Sequence, residues 1–422
     1  MSKPKLYVRE PDDAARGRGA ALTGGALVLA LLAGLGWLAA GRGDPPPGDV
    51  AAVSRSARQP GGAASAASAP GRVMVPVVLP ASPATTLPPG LIEVCAVGLM
   101  SQAEWNRPAR REAFDAASGV ARQGTVTALK ASADPLTRGL ALAMESSHGG
   151  EVAANTAPRD ALARLALTSR SPEVYGLAWR VCSTEGAQDT TSACRMLSAE
   201  QWARLDPDNA VAWASVYQQA STRRDRAAMT DAQFRMSIAR AVDGRAGRLP
   251  GIAVAHVPPG TGALETEAVV GEVARFDAIG LADAAKECTS PTARDANRLQ
   301  LCESMAQVLW QHGRKPADLS TAIQIGEAVG WPAERLQPLR DEAAALSFIS
   351  AETLREASLS CADVRRRISH FEDAGLLGEV AWARRAIAAA GKPLAYWAAA
   401  AEAQRRALVR AEASASAVPA IP

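Results

Sequence analysis

An all-α body of stacked antiparallel helix pairs, an irregular α-solenoid set behind one membrane-spanning helix and a disordered linker, is the architecture this 422-residue sequence predicts. Three observations carry that expectation. Ala20 to Ala40 is an uncharged apolar run of 21 residues, and the 50 residues after it are dominated by Pro, Gly, Ala and Ser. From residue 91 onward, apolar side chains recur at spacings of three and four, with helix start and stop signals between the runs.

The apolar run AALTGGALVLALLAGLGWLAA is about 31 Å long as a helix, which matches a bilayer core of ~30 Å. A cleaved signal peptide fits less well. The tail before the run is long and holds three acidic residues, and Leu38 stands where a cut after Ala40 needs a small side chain. No cysteine is near enough for a lipid anchor. Lys3, Lys5, Arg9, Arg16 and Arg18 precede the run, against Arg42 and Arg55 shortly after it, so the positive-inside bias keeps the amino terminus in the cytoplasm. The expected order is a cytoplasmic tail over 1–19 and a helix over 20–40 in a bacterial inner membrane, contacting the lipid bilayer. The rest then lies in the periplasm.

Residues 41–90 include ten prolines, and 32 of the 50 are Pro, Gly, Ala or Ser, too few apolar groups to repay ordering. They read as a disordered linker reaching about 40 Å when flexible. Its one apolar island, VMVPVVLP at 73–80, is a spacer; pairing with a partner's sheet edge is disfavoured because Pro76 lacks a donor.

The body is expected to fold as two helical halves, 91–243 and 264–412, joined at a Gly- and Pro-rich seam over 244–263 and followed by a disordered tail over 413–422. Asp134-Pro135 and Ser171-Pro172 each supply a capping side chain and a proline at the first helical position. Further helices are indicated over 107–122, 157–168, 192–205, 208–221, 227–242, 264–279, 294–312, 318–329, 332–347, 361–372, 376–390 and 393–412. Breaks are expected at Gly124, Gly186, Gly313, Gly330 and Gly391, and at 148–150. The best strand candidate is IAVAHV at 252–257, between Gly251 and Pro258.

The stretch QWARLDPDNAVAWASVYQQA resembles the junction between tetratricopeptide repeats, through Trp202, Leu205, Asp206, Pro207, Asn209, Ala210 and Trp213. Asp206 and Pro207 stop one helix and Asn209 caps the next. The pattern departs at Tyr217 and Met229, covers about 200–235, and has no second copy at a period of 34. The whole chain also resembles membrane-anchored helical proteins of proteobacteria with Ala- and Arg-rich compositions, a resemblance that implies no activity.

Residues 91–422 hold 37 positive and 38 negative charges, a balance that gives nucleic acid no reason to bind. The four histidines, at 148, 256, 312 and 370, have no metal-binding spacing, so neither a metal nor another cofactor is expected. Phosphate-binding loops and nucleophile elbows are missing too. In AMESSHGG at 143–150, Glu145 and Ser146 resemble the Glu-Ser pair of lytic transglycosylases, implying a cell-wall-active enzyme with Glu145 as general acid. The G-L-M-Q element of those enzymes is missing, so a solvated helix end is preferred. Trp179, Trp202, Trp213, Trp310, Trp382 and Trp397 fall on or beside apolar stripes and read as core anchors. Trp213, Tyr217, Arg223 and Arg224 form the candidate binding set. With Arg226, the arginines would suit an acidic peptide or a carboxylate terminus.

All six cysteines lie on the exported side, where an oxidising compartment turns neighbouring thiols into bridges. Cys182 with Cys194, and Cys288 with Cys302, straddle helix-to-helix links. Cys95 with Cys361 is left by elimination. No C-x-x-C spacing exists, so the bridges are expected to be structural. The expectation overall is a non-enzymatic scaffold or adaptor that binds a protein or peptide in the periplasm.

Overall fold

The computed structural model describes residues 87–147, 156–183, 193–277, 281–289, 295–354 and 358–416. The tail over 1–19, the membrane helix over 20–40 and nearly all of the linker over 41–90 lie outside them, as do the breaks expected at 148–150 and Gly186. Among the described residues, no helix is long and apolar enough to cross a membrane.

The body opens with a hairpin where a helical half was expected to begin. β1 (Leu91–Val94) pairs antiparallel with β2 (Gly98–Ser101), Leu91 opposite Ser101 and Val94 opposite Gly98. Strands of four residues are too short for alternation to stand out. The turn between them requires positive φ at Ala96 (63°) and Gly98 (106°). On the outer edge of β1, the Cys95 N–H donates to the Leu359 carbonyl at 2.8 Å.

Among the described residues, everything else regular is helical. α1 (Gln102–Trp105), α2 (Pro108–Lys130), α3 (Pro135–Ser146), α4 (Thr156–Ser169) and α5 (Pro172–Ser183) come first, each packing against the next from α1 to α5. Asp134 caps α3 as expected, its carboxylate accepting the Thr137 N–H at 2.8 Å, and Ser171 accepts from the Val174 N–H at 3.3 Å. Gly124 does not break α2, which runs on for 23 residues; the glycine instead admits Pro258, whose Cγ would be 2.5 Å from a Cβ there.

Next come α6 (Ala199–Leu205), α7 (Ala210–Arg223) and α8 (Arg226–Ser237). The helix expected over 192–205 starts only at Ala199: Cys194–Met196 is a 3-10 turn, and Ser198 caps α6 by accepting the Gln201 N–H. A 34-residue helix-turn-helix repeat needs helices of about 14 residues. α6 has seven, so the likeness to that repeat stays local to the junction.

The proposed strand at 252–257 is a helix, α9 (Leu249–His256). LPGIAVAH is apolar all round, which erases the period that separates helix from strand, while Pro250 near its start and buried Leu249 and Ala253 suit a core helix. α9 packs against α2, α3, α10 (Ala263–Ala274) and α15 (Cys361–Leu377), and α10 also packs against α2 and α15. The expected seam is thus a central element that brings the first and last thirds of the body together.

The remaining helices are α11 (Ala282–Thr289), α12 (Ala296–His312), α13 (Pro316–Ala328), α14 (Ala333–Leu354), α16 (Glu379–Ala389) and α17 (Leu394–Ser416). α17 runs past the expected end at 412. One hydrophobic core extends from Ala121 to Ile387, with Trp202 and Trp382 buried in it and Trp179, Trp213, Trp310 and Trp397 packed half-buried against it. A second, small cluster of Val94, Met100, Trp105, Leu264 and Val364 sits under the hairpin. All six cysteines are bridged: Cys182 to Cys194, Cys288 to Cys302, and Cys95 to Cys361 across 266 positions of sequence.

Candidate functional site

The Asp206-Pro207-Asp208-Asn209 link ends α6 and starts α7, and its side chains tie together segments distant in sequence. Asn209 is fully buried and uses its whole amide. Its Oδ1 accepts from the Val211 N–H (3.2 Å) and the Asp243 N–H (3.1 Å), while Nδ2 donates to Asp206 Oδ2 and to the Asp243 carbonyl, both at 2.7 Å. Arg245 grips the Asp206 carboxylate with Nε at 2.9 Å and Nη2 at 2.8 Å, and this bond holds its guanidinium above the ordinary arginine range. Arg314 Nη1 reaches Asp243 at 3.0 Å, and its Nη2 donates to the carbonyls of Gly375 (3.1 Å) and Leu376 (3.2 Å).

Backbone bonds complete the junction. The Ala210 N–H donates to the Ala241 carbonyl at 2.8 Å, the Val380 N–H donates to the Arg314 carbonyl at 2.9 Å, and Val242 bridges Gly313. Four connections, 206–210, 239–247, 313–315 and 375–380, are thereby pinned to one another. Asn209→Ala leaves the Val211 and Asp243 N–H groups and the Asp243 carbonyl without their partner, at about 1–3 kcal/mol per buried group. Urea unfolding of that variant should show a loss of at least about 3 kcal/mol, and a change under 1 kcal/mol would disprove the hub.

Beside the junction lies a cavity of about 230 Å³. Val211, Val242, Pro250, Leu354, Phe371 and Ala374 give it apolar lining, and Arg314, Lys315, Asp318 and Glu379 also contribute. His370 lines it as well. That residue is 4% exposed, meets Trp382 edge-to-face with ring centroids 4.2 Å apart, and has no hydrogen-bond partner for its buried Nδ1 among the described residues. Burial pushes its imidazole down to about 4, so it is neutral at pH 7.

The unfolded chain, with its histidine near 6.5, takes up this proton before the folded one does. The stability associated with His370 is therefore complete above pH 6.5 and drains away as the pH falls towards 4, by up to about 3 kcal/mol. Denaturation midpoints measured from pH 7.5 to 4 should fall more steeply for the wild type than for His370→Leu; parallel curves would contradict the assignment.

The residues singled out for binding lie along α7 and at its C-cap. Trp213 is half-buried, donates Nε1–H to the Pro207 carbonyl at 2.7 Å, and carries the Arg235 guanidinium 5.5 Å from its ring centre. Tyr217, one turn on, is buried and faces a shallow depression lined by Ser221, Thr222, Asp283, Lys286 and Glu287. Burial, then the charge of Glu287, pushes its phenol up to about 12. Arg223 pairs with Glu200 at 2.8 Å, whereas Arg224 is exposed in the left-handed conformation (φ 57°) that ends α7.

Glu145 closes the last turn of α3, where Lys130 Nζ stands 2.5 Å from its carboxylate. His148 and the two glycines after it lie outside the described residues.

No protein-family model matches the chain, and no curated protein or solved structure is similar to it. Its site therefore rests on its own geometry. Among the described residues, no group of three or more His, Cys, Asp or Glu side chains could hold a metal ion. Sequence reasoning assigned Asp206 and Asn209 only to stopping and capping helices. It missed Asp243, Arg245, Arg314 and His370, whose partners are 34 or more positions away or, for His370, packed from a following helix. The D-x-R spacing at 243–245 was the only local signal.

Proposed function

We propose that this protein is a membrane-tethered periplasmic scaffold or adaptor whose helical body binds another protein. The observation that carries the reading is that every cysteine is bridged, as expected for a chain working in an oxidising compartment. The anchor, linker and helical body legible in the sequence agree with it. Stacked antiparallel helices offer an extended surface, and the junction around Asn209 keeps four of their connections in fixed relation. The exposed turn of Arg224 and Arg226 suits an acidic segment of the partner.

Two measurements test this. Alkaline phosphatase fused after residue 90 should be active and a fluorescent reporter that requires the cytoplasm should be dark there; the reverse pattern refutes the topology. The full chain, cross-linked in membranes and purified, should bring down a stoichiometric protein partner, and Arg224→Glu with Arg226→Glu should reduce its recovery at least fivefold. Recovery of the chain alone defeats the adaptor reading.

A further inference from the structure

The three bridges sit in different surroundings. Cys182, Cys194, Cys288 and Cys302 lie in the main core, none of them more than 8% exposed. The third bridge belongs to the small cluster under the hairpin, and its Cys361 is the one cysteine of the six that is not buried. No residue of the main core precedes Ala121. The hairpin is therefore joined to the body through the small cluster, the bond from the Cys95 N–H to the Leu359 carbonyl, and the bridge. A two-stranded hairpin has marginal stability of its own in water. Opening it locally costs less than opening the main core, and brings the bridge within reach of an incoming thiolate.

The position of Cys361 also suits exchange. It is the first residue of α15, a helix of 17 residues capped by Ser360, whose hydroxyl accepts the Asp363 N–H at 3.2 Å. The positive end of the helix dipole stabilises a thiolate there, which makes Cys361 a good leaving group. Asp363 in the same turn opposes this, but its carboxylate is paired with Arg366 at 2.6 Å. The other bridges have no such terminus. Cys182 and Cys288 stand next to the last residues of α5 and α11, Cys302 is inside α12, and Cys194 opens a turn of only three residues.

We propose that Cys95–Cys361 is a thiol–disulfide exchange site at which a protein dithiol unlatches the hairpin. One thiolate of the dithiol attacks Cys361 Sγ, the bond to Cys95 breaks, and Cys95 leaves as a thiolate that takes the proton of the second dithiol sulfur. That sulfur, now a thiolate, attacks its partner in the mixed disulfide and expels Cys361 as the thiolate that the helix terminus stabilises. The dithiol departs as a disulfide, oxidised by two electrons, and the bridge is reduced by the same two. The hairpin then opens over Leu264 and Val364, while the main core keeps its own two bridges. This site is separate from the surface proposed for a protein partner, and its test requires none.

The test uses the full chain in detergent and three probes: reduced thioredoxin, thioredoxin lacking its resolving cysteine, and dithiothreitol. The variant thioredoxin stops at the mixed disulfide, and peptide mapping should place that adduct on Cys361. With intact thioredoxin or dithiothreitol, differential alkylation should label Cys95 and Cys361 at least tenfold faster than the other four cysteines. Amide hydrogen exchange should then rise at least tenfold over residues 91–101 and stay unchanged in α5 and α12. An adduct on any other cysteine, equal labelling of all six, or no reduction by either dithiol under native conditions would overturn the proposal. So would reduction that leaves exchange over 91–101 unaltered, or that raises it throughout the chain.

Discussion

Gly375→Ala is expected to lose the folded state under conditions where the wild type is stable. A Cβ on Gly375, within α15, would stand 1.9 Å from the Gly247 carbonyl oxygen, and one on Gly247 would stand 2.5 Å from that of Gly375. Both obstacles are backbone, so no side chain can rotate away. Moving α15 would break the bonds from Arg314 to the 375 and 376 carbonyls, and moving 247 would strain the loop that Asn209 and Arg245 pin. In an open helix the same substitution would gain about 0.5–1 kcal/mol from propensity, far less than the clash costs. A loss of about 4 kcal/mol or more belongs to this kind of unrelieved overlap. Gly251→Ala in α9, where a Cβ meets nothing within 4 Å, is the control and should be neutral or slightly stabilising. Urea unfolding decides it: equal midpoints for Gly375→Ala and wild type would refute the close approach.

The second large effect is expected from the Cys95–Cys361 bridge. In the chain-entropy model, a loop of 266 residues closed in the unfolded state contributes about 5–6 kcal/mol, against about 3 kcal/mol for the loops of 12 and 14 residues closed by the other two. Cys95→Ser with Cys361→Ser should therefore cost roughly twice as much as Cys182→Ser with Cys194→Ser. The packing adds to the contrast, because the long bridge also holds the hairpin over the small cluster of Met100, Trp105, Leu264 and Val364. A smaller loss for the long bridge than for either short one would rule out the entropic account.

What could be read from the sequence depended on whether the signal was local. The caps at Asp134 and Ser171 lie within four residues of the groups they serve, and those helices start where expected. The two short bridges were legible because each spans a single link between helices; the long one followed only as the remainder. α9 was misread because a helix apolar nearly all round has no polar face to set its period. Gly124 was misread as a stop because a glycine that admits a distant proline looks the same in sequence as one that ends a helix. The junction was illegible for a related reason. Asn209 and Asp243 are 34 positions apart and Asp243 and Arg314 are 71 apart, so their complementarity exists only after the helices have packed.

The same long bridge alters how the body carries mechanical load. Tension applied between residue 90 and the carboxyl terminus runs through β1 to Cys95 and passes from there straight to Cys361. The polypeptide between them is taken out of the force path. β2 and helices α1 to α14 cannot be peeled away one after another, and only β1, which precedes Cys95, and the segment from Cys361 onward can be drawn out while the bridge is intact. Reduction would put all of that length back under tension, so a pull the oxidised body survives with a short extension would unravel the reduced one from its first strand.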